Sequence, residues 1–578
     1  MTVDRSSSPV IRGASAALAW MNGSGPRIAT ATSDRSIAVR ERSRQRVTAA
    51  YVAIVSLVVL VLSTPGINDE GVVAISDMPR YLMDGAFVRD VLVNAPTYTL
   101  RDFTASYYIR YPAIGLGHYA PLTAGIEAIA FLVLGVSVFS ARIAMAACML
   151  AAAWGQFFLV RRIYDEHIAF VATLLFVTTA SVVSLARVVQ AEIPALALIL
   201  LSTWALQAYC RGPAQGRLFA FVAFAVASVY AKHTSVLFFP AYAAQLWRVW
   251  RARPEFRPLM SRAAIAGVLL LVPMVLLTIR FAPAKLELVV HSDLSVAERL
   301  AGFLATASDH ASPVVLACGV LALVVALVRH DRRPLLFVGM IGVYYLGISV
   351  TASIVISRYS VYWVPAFCAL AASLLAVARP GQQRALVATA LVALAALQGG
   401  RAFVAPPPRA EGYEAAARFV VAHKTNPVIL YSAGVDSGLL PFFVRALDPD
   451  RNLVVLRADK VLATSSMDRI VADRISAPWQ VHDVLKRFGI RHVVIEDVAY
   501  DSPALRWLQQ EVLSSRFRLL TRIPVRSSAP RLAGASLSVY EYVEATPLPS
   551  VSRVRVDLPL SRTSIDVDLH EVLRTRIR

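Results

Sequence analysis

Residues 40–64 read RERSRQRVTAAYVAIVSLVVLVLST: four arginines within seven residues are followed by eighteen residues that carry no charge. An apolar run of this length can cross a bilayer, and arginines beside a span favour the cytoplasmic side. A signal peptide would instead place a shorter apolar region close to the start of the chain. The stretch therefore predicts an uncleaved first transmembrane helix behind a basic, disordered cytoplasmic tail, residues 1–46.

The composition predicts the same environment for most of the chain. Of the 578 residues, 57% are hydrophobic and 17% are charged, and the mean hydropathy is +0.58, values far outside the range of soluble domains. The arginines behind the +20 net charge cluster between apolar runs, so we attribute the charge to topology and expect no nucleic-acid partner. The four cysteines lie inside apolar segments, without the spacing of a zinc site or a disulfide framework.

The positions of the Arg-rich loops determine how often the chain crosses the bilayer. If residues 122–135 cross, every later Arg-rich loop is inverted. If residues 121–137 instead form a short helix at the outer interface, all of these loops face the cytoplasm. We therefore predict a polytopic α-helical membrane protein with about eleven transmembrane helices and a cytoplasmic N-terminus. They are residues 47–64, 138–160, 168–186, 193–210, 218–231, 234–250, 263–281, 311–328, 334–353, 360–378 and 385–403.

The chain divides into segments of different composition. The predicted membrane domain, residues 47–403, includes a long outer loop, residues 65–120. Residues 404–412 form a Pro-rich linker. Helical patterns then alternate with strand-like runs, which predicts a soluble C-terminal α/β domain on the outer face, residues 413–545. Residues 546–578 are predicted to be a polar tail.

Four ionisable residues fall at the outer boundary of this topology: Asp77, Glu192, Lys232 and Arg358. Ionisable residues in or beside membrane spans are costly and therefore indicate function by default. Two cations suit the phosphate of a lipid, and a carboxylate can take a proton. Structural explanations also exist, because Glu192 suits the positive end of a helix dipole and Arg187 can extend from a helix end to the interface.

Several motifs in this order resemble glycosyltransferase family 39, which includes the dolichyl-phosphate-mannose protein mannosyltransferases and the bacterial transferase that adds aminoarabinose to lipid A. An outer acid is followed four residues later by Tyr, and further motifs follow across residues 50–370. They are DMPRY (77–81), GHYAPL (117–122), LGVSVFSAR (134–142), ARVVQAEIP (186–194), YAKHTSVLFFP (230–240) and SRYSVYWVP (357–365).

The resemblance implies the membrane fold called GT-C, a polyprenyl-phosphate-linked sugar as donor, and inverting transfer without a metal or other cofactor. By this resemblance Asp77 is the general base and Glu192 a second acid, while Lys232 and Arg358 hold the phosphate of the leaving lipid. Additional substrate-binding candidates are Tyr81, His118, Arg187 and Tyr359.

Two departures from the family pattern leave alternatives open. Family members often have Asp-Glu at the first motif, whereas Met78 follows Asp77, and an Asp-Glu pair occurs earlier as Asp69 and Glu70. Either earlier acid is therefore an alternative base. The second motif commonly has Asp where this chain has Glu192, whose longer side chain favours a supporting role.

The sequence therefore predicts a multi-pass protein of a bacterial inner membrane that transfers a hexosyl or pentosyl group to a periplasmic envelope acceptor (lipid, glycan or protein), with its C-terminal domain in the periplasm. The alternative is a transporter or flippase of lipid-linked sugars, but the internal repeats and midplane polar residues typical of transporters are missing from the sequence. The stretch YSAGVDSGLL (431–440) resembles a phosphate-binding loop of ATP pyrophosphatases. We discount nucleotide binding there, because Ala433 replaces a glycine and the outer face has no ATP.

Overall fold

The computed structural model describes residues 27–71, 77–94, 99–115, 117–290, 292–435, 437–448, 450–466 and 469–575. The chain forms two compact units, Met1–Ile54 and Val55–Arg578. The first 26 residues of the predicted tail lie outside the described residues. Residues 27–46 are helical rather than disordered, because the first transmembrane helix begins at Arg27 and continues to Ser63.

Helices joined by short turns and loops make up the described residues before the linker. The α-helices are α1 Arg27–Ser63, α2 Met78–Asn94, α3 Leu100–Arg110, α4 Pro121–Leu134, α5 Val138–Ile163, α6 Glu166–Thr178, α7 Ala180–Arg187, α8 Glu192–Arg211, α9 Gln215–Ala231, α10 Phe239–Ala252, α11 Arg257–Ile279, α12 Ala282–Val290, α13 Val296–His310, α14 Pro313–Val328, α15 Leu335–Thr351, α16 Val364–Ala372, α17 Leu374–Val377 and α18 Gln382–Val404. Short 3-10 helices cover His233–Phe238, Pro254–Phe256 and Ser357–Trp363.

The helices support a polytopic membrane fold. Within the described residues, six helical segments are long and apolar enough to cross a membrane, or up to eight if two bent helix pairs each form one span. Three further apolar helices, α4, α9 and α15, are shorter. Each of the eleven predicted segments overlaps a helix, and the count of eleven stays a prediction.

Local signals explain why α4 is short. Pro121 stands in its first turn, where a missing backbone N–H costs nothing. Gly135 ends the helix with φ 84°, a left-handed conformation that glycine adopts without strain. The Ser137 side chain then accepts a hydrogen bond from the Ser140 N–H and starts α5. These residues separate α4 from α5 and leave α4 with 14 residues.

A C-terminal α/β domain follows the linker, as predicted. Its elements are β1 Ala410–Glu411, α19 Tyr413–Ala422, β2 Val428–Ser432, α20 Leu439–Leu447, β3 Val454–Arg457, α21 Ala458–Val461, β4 Ala463–Ser466, β5 Arg469–Asp473, α22 Gln480–Arg487, β6 His492–Glu496, α23 Pro503–Glu511, β7 Phe517–Pro524, β8 Arg526–Ser527 and β9 Ser536–Tyr542, with a 3-10 helix over Pro530–Leu532. The central sheet has the order β3-β2-β6-β9-β7. β2 is parallel to β3 and β6, whereas β9 is antiparallel to both of its neighbours.

The segment after residue 546 differs from the predicted polar tail. Arg553–Leu558 (β10) and Thr563–Asp568 (β11) form an antiparallel hairpin around a 3-10 helix at Pro559–Ser561, and Leu569–Arg574 (α24) follows. Val554 and Val556 are buried in the core of the domain, as are residues of α24. The polar-tail prediction is wrong for these residues, because the alternation of valine and charge in RVRVDL is a strand pattern. Residues 576–578 lie outside the described residues.

A buried ion pair joins the α/β domain to α2. Arg445 on α20 donates from Nε to Asp90 Oδ2 at 2.7 Å and from Nη2 to Asp90 Oδ1. Both side chains have 0% exposure. Tyr107 on α3 donates to Asp90 Oδ2 at 2.9 Å, and Arg89 donates to Oδ1 at 2.8 Å. One carboxylate therefore holds together two outer helices and the domain.

Two further arginines connect α3 and the chain after it to the domain. Arg110 donates to the carbonyl oxygens of Arg451, at 2.8 Å, and of Val572. Arg457 donates to the carbonyl oxygen of Pro112 at 2.9 Å. Since these guanidinium groups bind backbone carbonyls, the contact is specific in geometry as well as in charge.

We expect Arg445→Met to lower the free energy of unfolding by about 3 kcal/mol, because the change removes the fully buried cation of Asp90 and leaves only the partly exposed Arg89 beside it. The measurement is thermal and denaturant unfolding of the purified protein in detergent. Arg418→Met is the control, since Arg418 lies on the surface of the same domain and pairs with Glu414 one turn away. Equal losses of stability in the two variants would contradict a special contribution of the Asp90–Arg445 ion pair.

Candidate active site

Glu192 is an acid at the beginning of a buried helix. It is the first residue of α8, and its side chain is 2% exposed. Its Oε1 lies 2.5 Å from Lys232 Nζ and 3.3 Å from Arg358 Nε. The two cations, together with the positive end of the helix dipole, stabilise the buried negative charge.

Arg358 connects the two acids of the cluster. Its Nη2 lies 2.5 Å from Asp77 Oδ2, while its Nε faces Glu192. The residue lies in the 3-10 helix Ser357–Trp363, and its side chain is 25% exposed. The structure therefore brings the four ionisable residues predicted from the sequence into one continuous chain of contacts.

Aromatic rings line the cationic side of this cluster. Lys232 Nζ lies 4.7 Å from the centre of the Tyr359 ring and 5.9 Å from that of Tyr362. The guanidinium carbon of Arg358 lies 5.8 Å from the Tyr359 ring centre. Aromatic rings at these distances attract cations, so they help the carboxylates to hold both side chains in place.

Asp77 lies at the more exposed end of the cluster. It immediately precedes α2, its side chain is 15% exposed, and its Oδ1 accepts a 2.7 Å hydrogen bond from the Tyr119 hydroxyl. Arg80 Nη1 lies 4.0 Å from the same oxygen. Burial alone would raise the pKa of the Asp77 carboxyl, but Arg358, Tyr119 and Arg80 outweigh it and hold the pKa below its usual value. Asp77 is therefore ionised at neutral pH.

The cluster gathers several cations around its two acids. Arg80, Lys232 and Arg358 contact Asp77 and Glu192. Positive side chains gathered at a place that solvent reaches favour the binding of an anion.

Among the other predicted site residues, three lie beside the cluster. The Tyr81 ring is 4.7 Å from the Tyr119 ring, and the His118 ring is 4.9 Å from it. Tyr359 contacts Lys232, as described above. Arg187 differs, because its Nε donates to the Leu62 carbonyl at 2.9 Å and its Nη1 to the Ala405 carbonyl at 3.3 Å. Its described contacts are therefore structural.

The two alternative bases have other surroundings. Glu70 neighbours Glu414 and Glu411 at the start of the α/β domain, and burial together with these acids raises the pKa of its carboxyl. The carbonyl oxygen of Asp69 accepts a 2.6 Å hydrogen bond from Arg142. Among their described contacts, neither reaches Arg358, which makes Asp77 the better placed acid.

Sequence reasoning missed Tyr119 and Arg80, both of which contact Asp77. Arg80 follows Asp77 at the i+3 spacing that brings side chains together on a helix, so the signal was present. Tyr119 stands next to His118 in GHYAPL, and sequence alone does not show which ring faces the acid.

The stretch YSAGVDSGLL has an internal partner. Glu496 Oε2 accepts hydrogen bonds from the backbone N–H groups of Gly434, at 2.8 Å, and Val435, at 3.0 Å. Its Oε1 accepts from the hydroxyls of Tyr413 and Tyr431, both at 2.8 Å. The carboxylate fills the anion-binding position of this loop, which supports discounting a phosphate ligand there.

An apolar cavity of 480 Å³ includes Tyr230, which stands two residues before Lys232. It is formed by α4, α9 and α11, and Lys232 directly follows the end of α9. The lining residues are Pro121, Leu122, Gly125, Ala223, Val226, Ala227, Tyr230 and Leu270.

We expect Glu192→Gln to be more destabilising than Asp77→Asn. The first change removes the acid that contacts both Lys232 and Arg358 and is predicted to cost about 3 kcal/mol, the lower end for a broken buried pair, because both cations keep some solvent access. Asp77→Asn leaves Glu192 to neutralise both cations. Thermal unfolding in detergent compares them, and a larger loss in Asp77→Asn would overturn this ranking.

The comparisons with known proteins agree with this architecture. The family model for dolichyl-phosphate-mannose-protein mannosyltransferase matches residues 118–277. No curated protein sequence matches the chain.

The fold is similar to that of solved membrane glycosyltransferases. The structure of ArnT from Cupriavidus metallidurans bound to undecaprenyl phosphate has 16% sequence identity and a TM-score of 0.57, over 87% of this chain and 99% of that chain. The apo form of that protein has 14% identity and a TM-score of 0.57, over 86% and 99%. The apo oligosaccharyltransferase of Archaeoglobus fulgidus has 11% identity and a TM-score of 0.52, over 77% and 69%. The chain is therefore similar in fold to these membrane glycosyltransferases, and residues 118–277 resemble the mannosyltransferase family.

Proposed function

We propose that this protein is an inverting glycosyltransferase that moves a sugar from a polyprenyl-phosphate-linked donor to an acceptor of the bacterial envelope. The observation that carries the proposal is the contact chain Lys232–Glu192–Arg358–Asp77, in which an anion site and an ionised carboxylate share one guanidinium. The solved ArnT structure with undecaprenyl phosphate supports the donor class.

Lys232 and Arg358 bind the donor phosphate in this proposal. Their positive charges attract the phosphate, and negative charge grows on it as the bond to the sugar breaks. The two cations therefore stabilise the transition state more than the bound donor.

The prenyl chain lies in the apolar cavity between α4, α9 and α11. Its lining is apolar, and the chain passes from α9 directly to Lys232, so a lipid in the cavity presents its phosphate toward that cation. This arrangement matches the two parts of the donor, an apolar tail and an anionic head.

Asp77 removes the proton from the attacking acceptor. In the structure Arg358 and Tyr119 keep its pKa low, which makes it a weak base. A donor phosphate that takes up part of the Arg358 charge relieves this effect and raises the basicity of Asp77. Base strength then increases only when the donor is present.

Glu192 serves as the supporting acid. Its contacts with both Lys232 and Arg358 suit it to positioning the two phosphate-binding cations rather than accepting a proton. The membrane placement follows the sequence: a multi-pass inner-membrane protein with eleven spans, a cytoplasmic N-terminus, and a periplasmic α/β domain that helps to bind the acceptor. The transporter alternative involves no breakage of the sugar–phosphate bond.

The central experiment uses purified full-length protein with a radiolabelled polyprenyl-phosphate sugar and an envelope extract as acceptor. Wild-type protein is expected to release free polyprenyl phosphate, and Asp77→Asn to reduce the rate by about 10²–10⁴-fold through loss of the base. Glu70→Gln is the control and keeps the wild-type rate. The base assignment is wrong if Glu70→Gln loses activity while Asp77→Asn keeps it, and the enzyme proposal fails if wild-type protein releases nothing.

A second experiment tests phosphate binding separately from chemistry. We expect Arg358→Met to weaken the binding of unlabelled polyprenyl phosphate in nanodiscs by about tenfold or more, since a hydrogen bond to a charged group is lost. Arg187→Met removes a more deeply buried arginine whose described contacts are backbone carbonyls, so the affinity is expected to stay unchanged while stability falls. Equal weakening by both changes would contradict the assignment of Arg358.

A further inference from the structure

A buried aspartate lies on α2, seven residues after Asp77. Asp84 is 1% exposed, and its Oδ1 accepts a 2.7 Å hydrogen bond from the backbone N–H of Gly115. Gly115 belongs to the loop between α3 and α4. Asp84 therefore fixes this loop to α2.

The loop turns tightly at the anchored residue. The carbonyl oxygen of Gly115 accepts hydrogen bonds from the backbone N–H groups of His118 and Tyr119, both at 3.0 Å. Tyr119 in turn donates its hydroxyl to Asp77 Oδ1 at 2.7 Å. Asp84 and Asp77 therefore hold the two ends of one short connection, Asp84 through the backbone and Asp77 through the phenol.

The Tyr119 ring has little freedom to compensate for a shifted backbone. It packs 4.7 Å from the Tyr81 ring, and a Cβ placed on Gly115 would overlap it. A displaced Gly115 would thus displace the ring as well, and the hydroxyl would lose its contact with Asp77.

We propose that Asp84 is a positioning residue for sugar transfer: through Gly115 it holds Tyr119 in the orientation that donates to Asp77. The inference rests on the proposed function, since it assigns Asp84 a part in setting the catalytic base. Asp84 itself touches no reacting atom.

Several charged and titratable groups face Asp77 from the surrounding elements. Arg80 and Tyr81 face it from α2, Arg358 from the 3-10 helix, and Glu192 from α8. Tyr119 comes from the loop that Asp84 anchors. Loss of its hydroxyl raises the pKa of Asp77, so the acid side of the pH profile, where a base becomes protonated, shifts to higher pH.

Glu127 on α4 provides a matched control. It is a second fully buried acid near Asp84, and in the described structure neither of its carboxyl oxygens has a hydrogen-bond partner. A buried carboxyl without partners holds its proton, so Glu127→Gln preserves both shape and charge state. It also leaves the Asp84–Gly115 contact intact.

The test is a double-mutant cycle on kcat/KM for release of polyprenyl phosphate, with a pH profile for each variant. Tyr119→Phe is expected to lower kcat/KM by about tenfold and to shift the acid side to higher pH. Asp84→Ala is expected to do the same in the wild-type background, but to add less than about twofold when Tyr119 is already Phe. Asp84→Asn, whose amide oxygen still accepts from Gly115, and Glu127→Gln are expected to keep the wild-type profile.

Two results would overturn the inference. One is full additivity of Asp84→Ala and Tyr119→Phe, and the other is a lower kcat/KM in Asp84→Ala without the pH shift. Either would show that Asp84 does not act through Tyr119. If Asp84→Ala does not fold, Gly115→Ala replaces it. The added methyl group displaces the Tyr119 ring while Asp84 stays in place. A wild-type pH profile in Gly115→Ala would then also overturn the inference. Release of no polyprenyl phosphate by wild-type protein would instead refute the proposed function, so the two failures are distinguishable.

Discussion

The Arg358 guanidinium is the contact on which the site depends. It is placed between two carboxylates, 2.5 Å from Asp77 and 3.3 Å from Glu192, and these acids come from chain segments more than a hundred residues apart. Arginine suits this position because its planar group presents several donors in fixed directions and stays charged. A lysine would offer a single point of charge and would hold one acid at a time. The spacing of α2 and α8 at the outer boundary is therefore linked to one side chain.

Much of this arrangement could be predicted from the sequence, because charge is expensive near a membrane. Asp77, Glu192, Lys232 and Arg358 stood out against apolar surroundings, and alternating Arg-rich loops placed them on one side. Contacts that depend on exact geometry could not be predicted in this way. Arg187 looked equivalent to Arg358 in sequence, but its guanidinium meets backbone carbonyls of Leu62 and Ala405, which no pattern reports.

Two features of the C-terminal domain also depend on packing and contacts that the sequence pattern does not show. The sequence predicts a polar tail after residue 546, although the alternate valines of this segment pack into the domain core. A strand with one buried face has this composition, and its few apolar residues are enough to hold it. The loop at Gly434 shows the opposite case. Its glycines suggested an external anion, whereas the anion is Glu496, which lies 62 residues further along the chain.

The buried ion pair of Asp90 and Arg445 fixes one part of α2 to the α/β domain, so a movement of the domain also moves the rest of the helix. Asp77 stands thirteen residues before Asp90, so the two residues are about 20 Å apart at the rise of an α-helix. A rotation of about 3° around the fixed end moves the other end by about 1 Å, and a displacement of that size can change a reaction rate by about a hundredfold. For the transferase proposed above, a tilt of the α/β domain by a few degrees would thus reach Asp77 through α2 alone.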